Sequence, residues 1–235
     1  MRSVIEYEDD AIIVIHKPSG IATETARIGQ ADVVSELKNY LKAKGKGTYL
    51  GTIHRLDQPV EGLLVFAKTQ EAARDLTKQL ESGALRKSYA ALVPKIGAGE
   101  MAQGSLEDYL LKDGRTNLSK VVSADTQGAK KAKLSWRWMQ NVEVGDISFS
   151  LVEVEIFTGR HHQIRVQMSH AGMPLLGDCK YGNELSQELS EKLGIRQTAL
   201  LANHLALKHP VTKKRMEFSL PYPENWEINN CAKKM

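Results

Sequence analysis

The 235-residue chain is 42% hydrophobic and 26% charged, with a formal net charge of +4. It is long enough to bury a real core, and it is neither disordered nor collagen-like in composition. No apolar run approaches the ~20 residues that a membrane span needs, and the two cysteines, Cys179 and Cys231, form no CxxC pair, so free thiols in a reducing, cytoplasmic setting are expected.

In chain order, Ala11–His16 is a short β-branched apolar run that predicts a strand, and Lys17-Pro18-Ser19-Gly20 reads as the turn after it. Residues Asp32–Ala43 carry apolar side chains at helical spacing, with Asp32 as N-cap and Gly45 as stop. The stretch IHRLDQPVEGLLVFAK, Ile53–Lys68, starts irregular at Pro59 and Gly62 and ends in a buried strand, Leu63–Ala67. Thr69 caps a helix over Gln70–Glu81, and Lys87–Val93 is a strand closed by Pro94.

Lys95–Gly104 reads as a connection. Several strands are expected from Ser105 to Phe157, turning at Asp113-Gly114, Gln127-Gly128 and Gly145-Asp146. Thr158-Gly159-Arg160 leads into a short helix ended by Gly172, and Glu184–Leu193 is a second helix. Leu200–Leu207 fits strand or helix, and Arg215–Leu220 reads as a strand. Strands and helices are mixed without βαβ alternation, which predicts an α+β fold on a largely antiparallel sheet.

Three motifs carry chemistry. His54-Arg55-Leu56-Asp57 sets a carboxylate beside cations on an irregular loop, where it stays ionised and can act as nucleophile or base. Taken alone, such a tetrapeptide is more often an ordinary surface ion pair. Thr158–Arg165 crowds polar groups at a helix start, a setting that favours anions, with His161 and Arg165 expected on one helical face. His162 and His170 lie about 12 Å apart along a helix, too far for one zinc, so structural roles suit the histidines better. Lys87-Ser88-Tyr89 offers an aromatic hydroxyl able to stack on a base, although a half-buried strand tyrosine is the plainer reading. Basic clusters stand at Lys42/Lys44/Lys46, at Lys130/Lys131/Lys133/Arg137 and at Lys208/Lys213/Lys214/Arg215. Each is a solvated loop or part of a phosphate track.

Five segments in order resemble the RluA family of pseudouridine synthases: DAIIVIHKPSGI, HRLDQPVEGLLVFAKT, RKSYAALV, TGRHHQIRVQMSHAGMPLLGDCKYG and LANHLALKHPVTKKRMEFSLPYP. The resemblance covers nearly the whole chain. It implies a mixed, largely antiparallel central sheet flanked by helices and loops, with an active-site cleft across the sheet. It also implies one catalytic domain over residues 1–235. Because the first segment starts at Asp10, no S4 RNA-binding domain is expected ahead of it.

The activity implied is conversion of specific uridines to pseudouridine in ribosomal RNA or tRNA. No metal or organic cofactor is implied, and a monomer is expected. Carried over by position, Asp57 is the catalytic carboxylate, and Arg55 helps displace the target base and fills its place. Tyr89 stacks on the uracil and assists proton transfer. Arg165 pairs with Asp57, and Ile164 packs against the base. The chain departs from the family pattern at Val60-Glu61, where Thr-Ser is frequent, and at Leu201, where His is frequent. One rival reading is a non-catalytic RNA-binding protein on the same fold, against which Asp57, Tyr89 and Arg165 are all present; the second is a glycosidase or other hydrolase with Asp57 as nucleophile. It needs a partner acid, and only Glu61 is near in sequence.

Overall fold

A computed structural model describes residues 2–25, 29–97 and 103–226, and among those residues it holds eleven strands and four α-helices. Cys231 and the middle of the Lys95–Gly104 connection lie outside the described residues. The chain forms two compact units, one of residues 1–87 and 202–221, the other of residues 88–201 and 222–235.

In the first unit, β1 (Val4–Glu8) pairs antiparallel with β2 (Ile12–Lys17), and β2 pairs antiparallel with β4 (Glu61–Ala67). The two-residue β3 (Gly51–Thr52) also joins β4. Next to β4 runs β10 (Leu200–Lys208), which pairs antiparallel with β11 (Arg215–Ser219). β2 is apolar at successive positions because both of its faces are covered: Ile12, Ile13, Val14 and Ile15 are all fully buried. Ile12 and Val14 share a core with Leu63, Val65, Leu205 and Leu207, and with Ala72 and Leu76 of helix α2 (Gln70–Glu81). Thr69 accepts from the Ala72 N–H and starts α2, as the sequence predicts. Helix α1 (Val33–Ala43) is capped in the same way by Asp32, whose carboxylate accepts from Ser35 N–H at 2.7 Å.

Strands β1 and β3 are not anticipated by the sequence. β1 alternates exposed and half-buried positions, too weak an apolar signal to stand out. Lys17 corrects the expected turn: it is the last residue of β2 and is fully buried.

The second unit is built on antiparallel strands. Its strand order is β5 (Arg86–Pro94), β9 (Ile147–Ile156), β8 (Lys130–Val144), β6 (Gln103–Asp113), β7 (Leu118–Val122). Helix α3 (Gln163–His170) lays Val166 against Leu110 and Ala132. Helix α4 (Glu184–Lys192) begins with a capping box at Asn183 and Ser186. No described helix is long and apolar enough to cross a membrane.

The candidate active site

In the first unit the His54–Asp57 motif sits on the loop between β3 and β4. Arg55 and Gln58 are exposed there, Asp57 is half-buried, and His54, Leu56 and Val60 point inward. A second segment, residues 16–23, clasps this loop. Ser19 Oγ donates to Pro59 O at 2.7 Å, and Gly20 N–H to Gln58 O at 2.9 Å. Thr23 bonds both ways with the Leu56 backbone, at 2.9 and 3.1 Å. Within the loop, Val60 N–H closes a turn onto Asp57 O at 3.0 Å. Loop backbone is rigid only when its polar groups are satisfied, and here the groups flanking Asp57 are.

At the centre of the clasp is Lys17. Its ammonium donates to Ile21 O at 2.8 Å, Pro18 O at 3.0 Å and Gln58 O at 3.3 Å. Burial pushes this amine down to about 8, against the opposing fields of Asp57 and Glu61. Lys17 therefore remains mostly charged at neutral pH, a buried cation whose field reaches Asp57. Sequence reasoning missed it. A lysine closing an apolar strand just before Pro18 is the signal that was present.

Glu61 opens β4 and holds His16 Nε2 at 2.7 Å. Gly62 follows it with φ +139°, and a Cβ there would meet Ala202 N, O and Cβ at 2.5 Å. Only glycine lets the chain pass this close to β10.

In the second unit, Tyr89 on β5 is buried, as are Ile164 and Arg165 on α3. Arg165 forms a two-pronged bond with Asp178: Nε to Oδ2 and Nη2 to Oδ1, each 2.7 Å. Asp178 Oδ1 also accepts from the backbone N–H of Lys180 at 3.0 Å and of Tyr181 at 3.2 Å. The Tyr181 ring lies 5.1 Å from the guanidinium carbon of Arg165, so the cation is held over an aromatic face. The Tyr181 hydroxyl meets His162 Nδ1 at 2.7 Å and accepts from Ser119 N–H at 2.8 Å. Burial and the Arg165 charge keep His162 far below the ordinary histidine range, and therefore neutral. Asp178 lies within a quoted segment, yet nothing in Gly-Asp-Cys marks it as the anchor of an arginine thirteen residues earlier.

His161 corrects an expectation. It precedes α3 instead of sharing its face with Arg165, stacking on His162 at 3.7 Å and bonding Ser119 Oγ at 2.8 Å. The helix can start only after His162, which takes a left-handed backbone with φ 55°. Gln163 ties the preceding turn: its Oε1 accepts from Thr158 Oγ1 at 2.7 Å and from Arg160 N–H at 3.0 Å.

A buried arginine gripped by an aspartate, and a clasped aspartate loop carried on β4, both lie on segments that match one family. Residues 11–170 match the model of RNA pseudouridylate synthases. The chain belongs to that family. It is a pseudouridine synthase of the RluA type, an isomerase of uridine in RNA. The synthase is 30% identical to tRNA pseudouridine synthase C of Haemophilus ducreyi, over 97% of this chain and 94% of that one. It is 34% identical to ribosomal large subunit pseudouridine synthase D of Pseudomonas aeruginosa, over 94% of this chain and 69% of that one. In fold it is similar to human RNA pseudouridylate synthase domain containing 4, with TM-score 0.72 and 23% identity over 94% of this chain and 88% of that one.

Proposed function

We propose that the synthase modifies uridines in ribosomal RNA or tRNA through Asp57, acting in the cytoplasm as a monomer built on one catalytic domain. The observation that carries this reading is the clasp: residues 16–23 hold the backbone on both sides of Asp57 while leaving its side chain half-open to solvent. Detachment of uracil leaves positive character at C1′, and an ionised carboxylate stabilises or traps it, or takes the C2′ proton. The base then turns and C5 joins C1′; C5 gives up its proton to solvent and N1 takes one, so the product is an isomer of the substrate.

A uridine inside a stem must first leave the stack. In this reading Arg55 enters the gap; it is exposed and forms no hydrogen bond or ion pair among the described residues. Tyr89 stacks on the uracil and assists proton transfer, Ile164 packs against the base, and Arg165 pairs with Asp57. The test is tritium release from C5-labelled uridine in unmodified tRNA and ribosomal RNA transcripts. Asp57→Asn is expected to keep the fold and release none. Normal turnover in that variant would remove Asp57 from the chemistry.

A further inference from the structure

In the second unit one aromatic ring stands open to solvent: Phe157, just past the end of β9, is 56% exposed. A single exposed apolar side chain is ordinary on a protein surface. The surroundings of Phe157 are not. Its backbone N–H donates to Lys133 O on β8 at 3.0 Å, and the Lys133 ammonium lies over its ring, 5.9 Å from the centroid. The turn that follows is stapled to the same strand. Lys133 N–H donates to Thr158 Oγ1 at 2.9 Å, and Arg160 Nε donates to Lys131 O at 2.9 Å. Gln163 is buried beneath the turn. Its Nε2 donates to Lys133 O at 3.0 Å, while its Oε1 accepts from Thr158 Oγ1 at 2.7 Å and from Arg160 N–H at 3.0 Å. One buried amide thus fixes the segment that carries the ring.

Lys131, Lys133 and Arg160 surround this end of β8. Glu107 stands cross-strand from Lys133, yet Lys131 holds it at 2.6 Å and the Lys133 ammonium stays 3.9 Å away. Arg160 is exposed and has no ion pair among the described residues. Even with Glu155 counted, two residues before Phe157, cations outnumber carboxylates here. A fixed ring open to solvent beside cations is how proteins hold unpaired nucleotides: the base stacks on the ring and a phosphate meets the cation.

We propose that Phe157 is a stacking platform for one unpaired nucleotide flanking the reacting uridine, with Lys133 as the contact for its phosphate. The proposal rests on the RNA reading above. Its place in the chain supports it. Gln163, which staples the platform, immediately precedes Ile164, the residue read against the uracil. A base on Phe157 and a base at Ile164 then belong to nearby nucleotides of one strand. Because the turn is already held, little ordering is left to oppose binding.

The test uses a synthetic RNA hairpin that the wild-type synthase modifies in the tritium assay. If no RNA is modified, the functional reading fails, separately from this one. With such a hairpin, Phe157→Ala is expected to weaken binding about tenfold or more, with no change in the slope of log K against log salt. Phe157→Trp is expected to bind as the wild type does, and Phe157→Leu as poorly as Phe157→Ala, since stacking needs a π-face. Lys133→Met is expected to lower the salt slope by about 0.7–0.9, the share of one phosphate. An abasic site moved nucleotide by nucleotide around the uridine should cost the wild type affinity at one flanking position and cost Phe157→Ala nothing there. The ring is exposed, so Phe157→Ala should melt with the wild type. Wild-type affinity in Phe157→Ala or Phe157→Leu, or the same abasic profile in both proteins, would overturn the inference. A Phe157→Ala protein that melts early and loses affinity at every position alike would make the ring structural. A wild-type dimer that Phe157→Ala dissociates with no loss of RNA affinity would make the patch a contact between copies, and would overturn it as well.

Discussion

Arg165 and Asp178 face each other as a two-pronged pair, both bonds 2.7 Å, with side chains 2% and 0% exposed. Thirteen residues separate them. The helix carrying Arg165 and the Gly177 turn carrying Asp178 are therefore locked together by one ion pair. Gly177 is part of that lock: its φ is +69°, and a Cβ there would lie 2.0 Å from Gln197 O.

Removing one member of a buried pair leaves the other charge uncompensated, at a cost of about 3–5 kcal/mol. Asp178→Asn is expected to lose that much stability in urea unfolding, and to lose activity with it. A double replacement, Arg165→Met with Asp178→Leu, is expected to recover most of the stability, since apolar pairs often substitute for buried ion pairs. Tritium release should stay absent in it. Recovered turnover would show that Arg165 serves the fold alone.

Lys17 should be needed for the loop's position as well as for stability. Lys17→Met takes a donor from the Ile21 and Pro18 carbonyls and leaves Gln58 O with Gly20 N–H, an expected loss on the order of 3 kcal/mol. If the folded fraction is compared at low temperature, kcat should fall far more than KM rises. Equal turnover per folded molecule would confine Lys17 to a structural role.

The pH dependence of stability follows from two depressed lysines. Lys17 and Lys87 sit near 8 when folded, against 10.5 for an ordinary lysine. The native state binds fewer protons than the unfolded one between these values, so stability rises with pH there. Below about 8 the penalty of burying the charges is fully present. Urea midpoints at pH 7.5 and 9.5 are expected to differ in favour of the higher pH, by about 1–2 kcal/mol per group. Lys87→Met should remove part of that rise, and a flat profile would contradict the burial of both ammoniums.

Gly62→Ala is expected to destabilise the first unit by more than about 2 kcal/mol, through positive φ and the collision with Ala202. Thermal melting checks this. A neutral effect would mean that β4 and β10 can separate at this point without loss.

The basic clusters should contribute less to RNA binding than their charge count implies. Lys131 pairs with Glu107 at 2.6 Å, Arg137 with Glu153 at 2.7 Å, and Lys133 lies 3.9 Å from Glu107 and over the Phe157 ring. Lys213 pairs with Asp75, and Arg215 with Glu217. A phosphate would have to displace these carboxylates. Neutralising Lys130, Lys131 and Lys133 together is expected to lower the salt slope by about one, well short of three phosphates. A drop near three would make β8 the main RNA track.

What the sequence determined by itself was local. Thr69 and Asp32 cap their helices as read, because a cap is a contact between residues three apart. The apolar runs Ile12–Ile15 of β2 and Leu63–Ala67 of β4 place themselves, because segments buried on both faces are apolar at successive positions. The order of five segments sufficed for the family. The partners of charged groups were not legible, because they are made by chain passing chain. Nothing near Lys17 in sequence announces Gln58 O, and nothing near Arg165 announces Asp178. Sequence spacing ranks cations by neighbours along the chain, whereas burial and field depend on neighbours in space. Only the tertiary structure could show Lys17 as a fully buried cation held by three carbonyls.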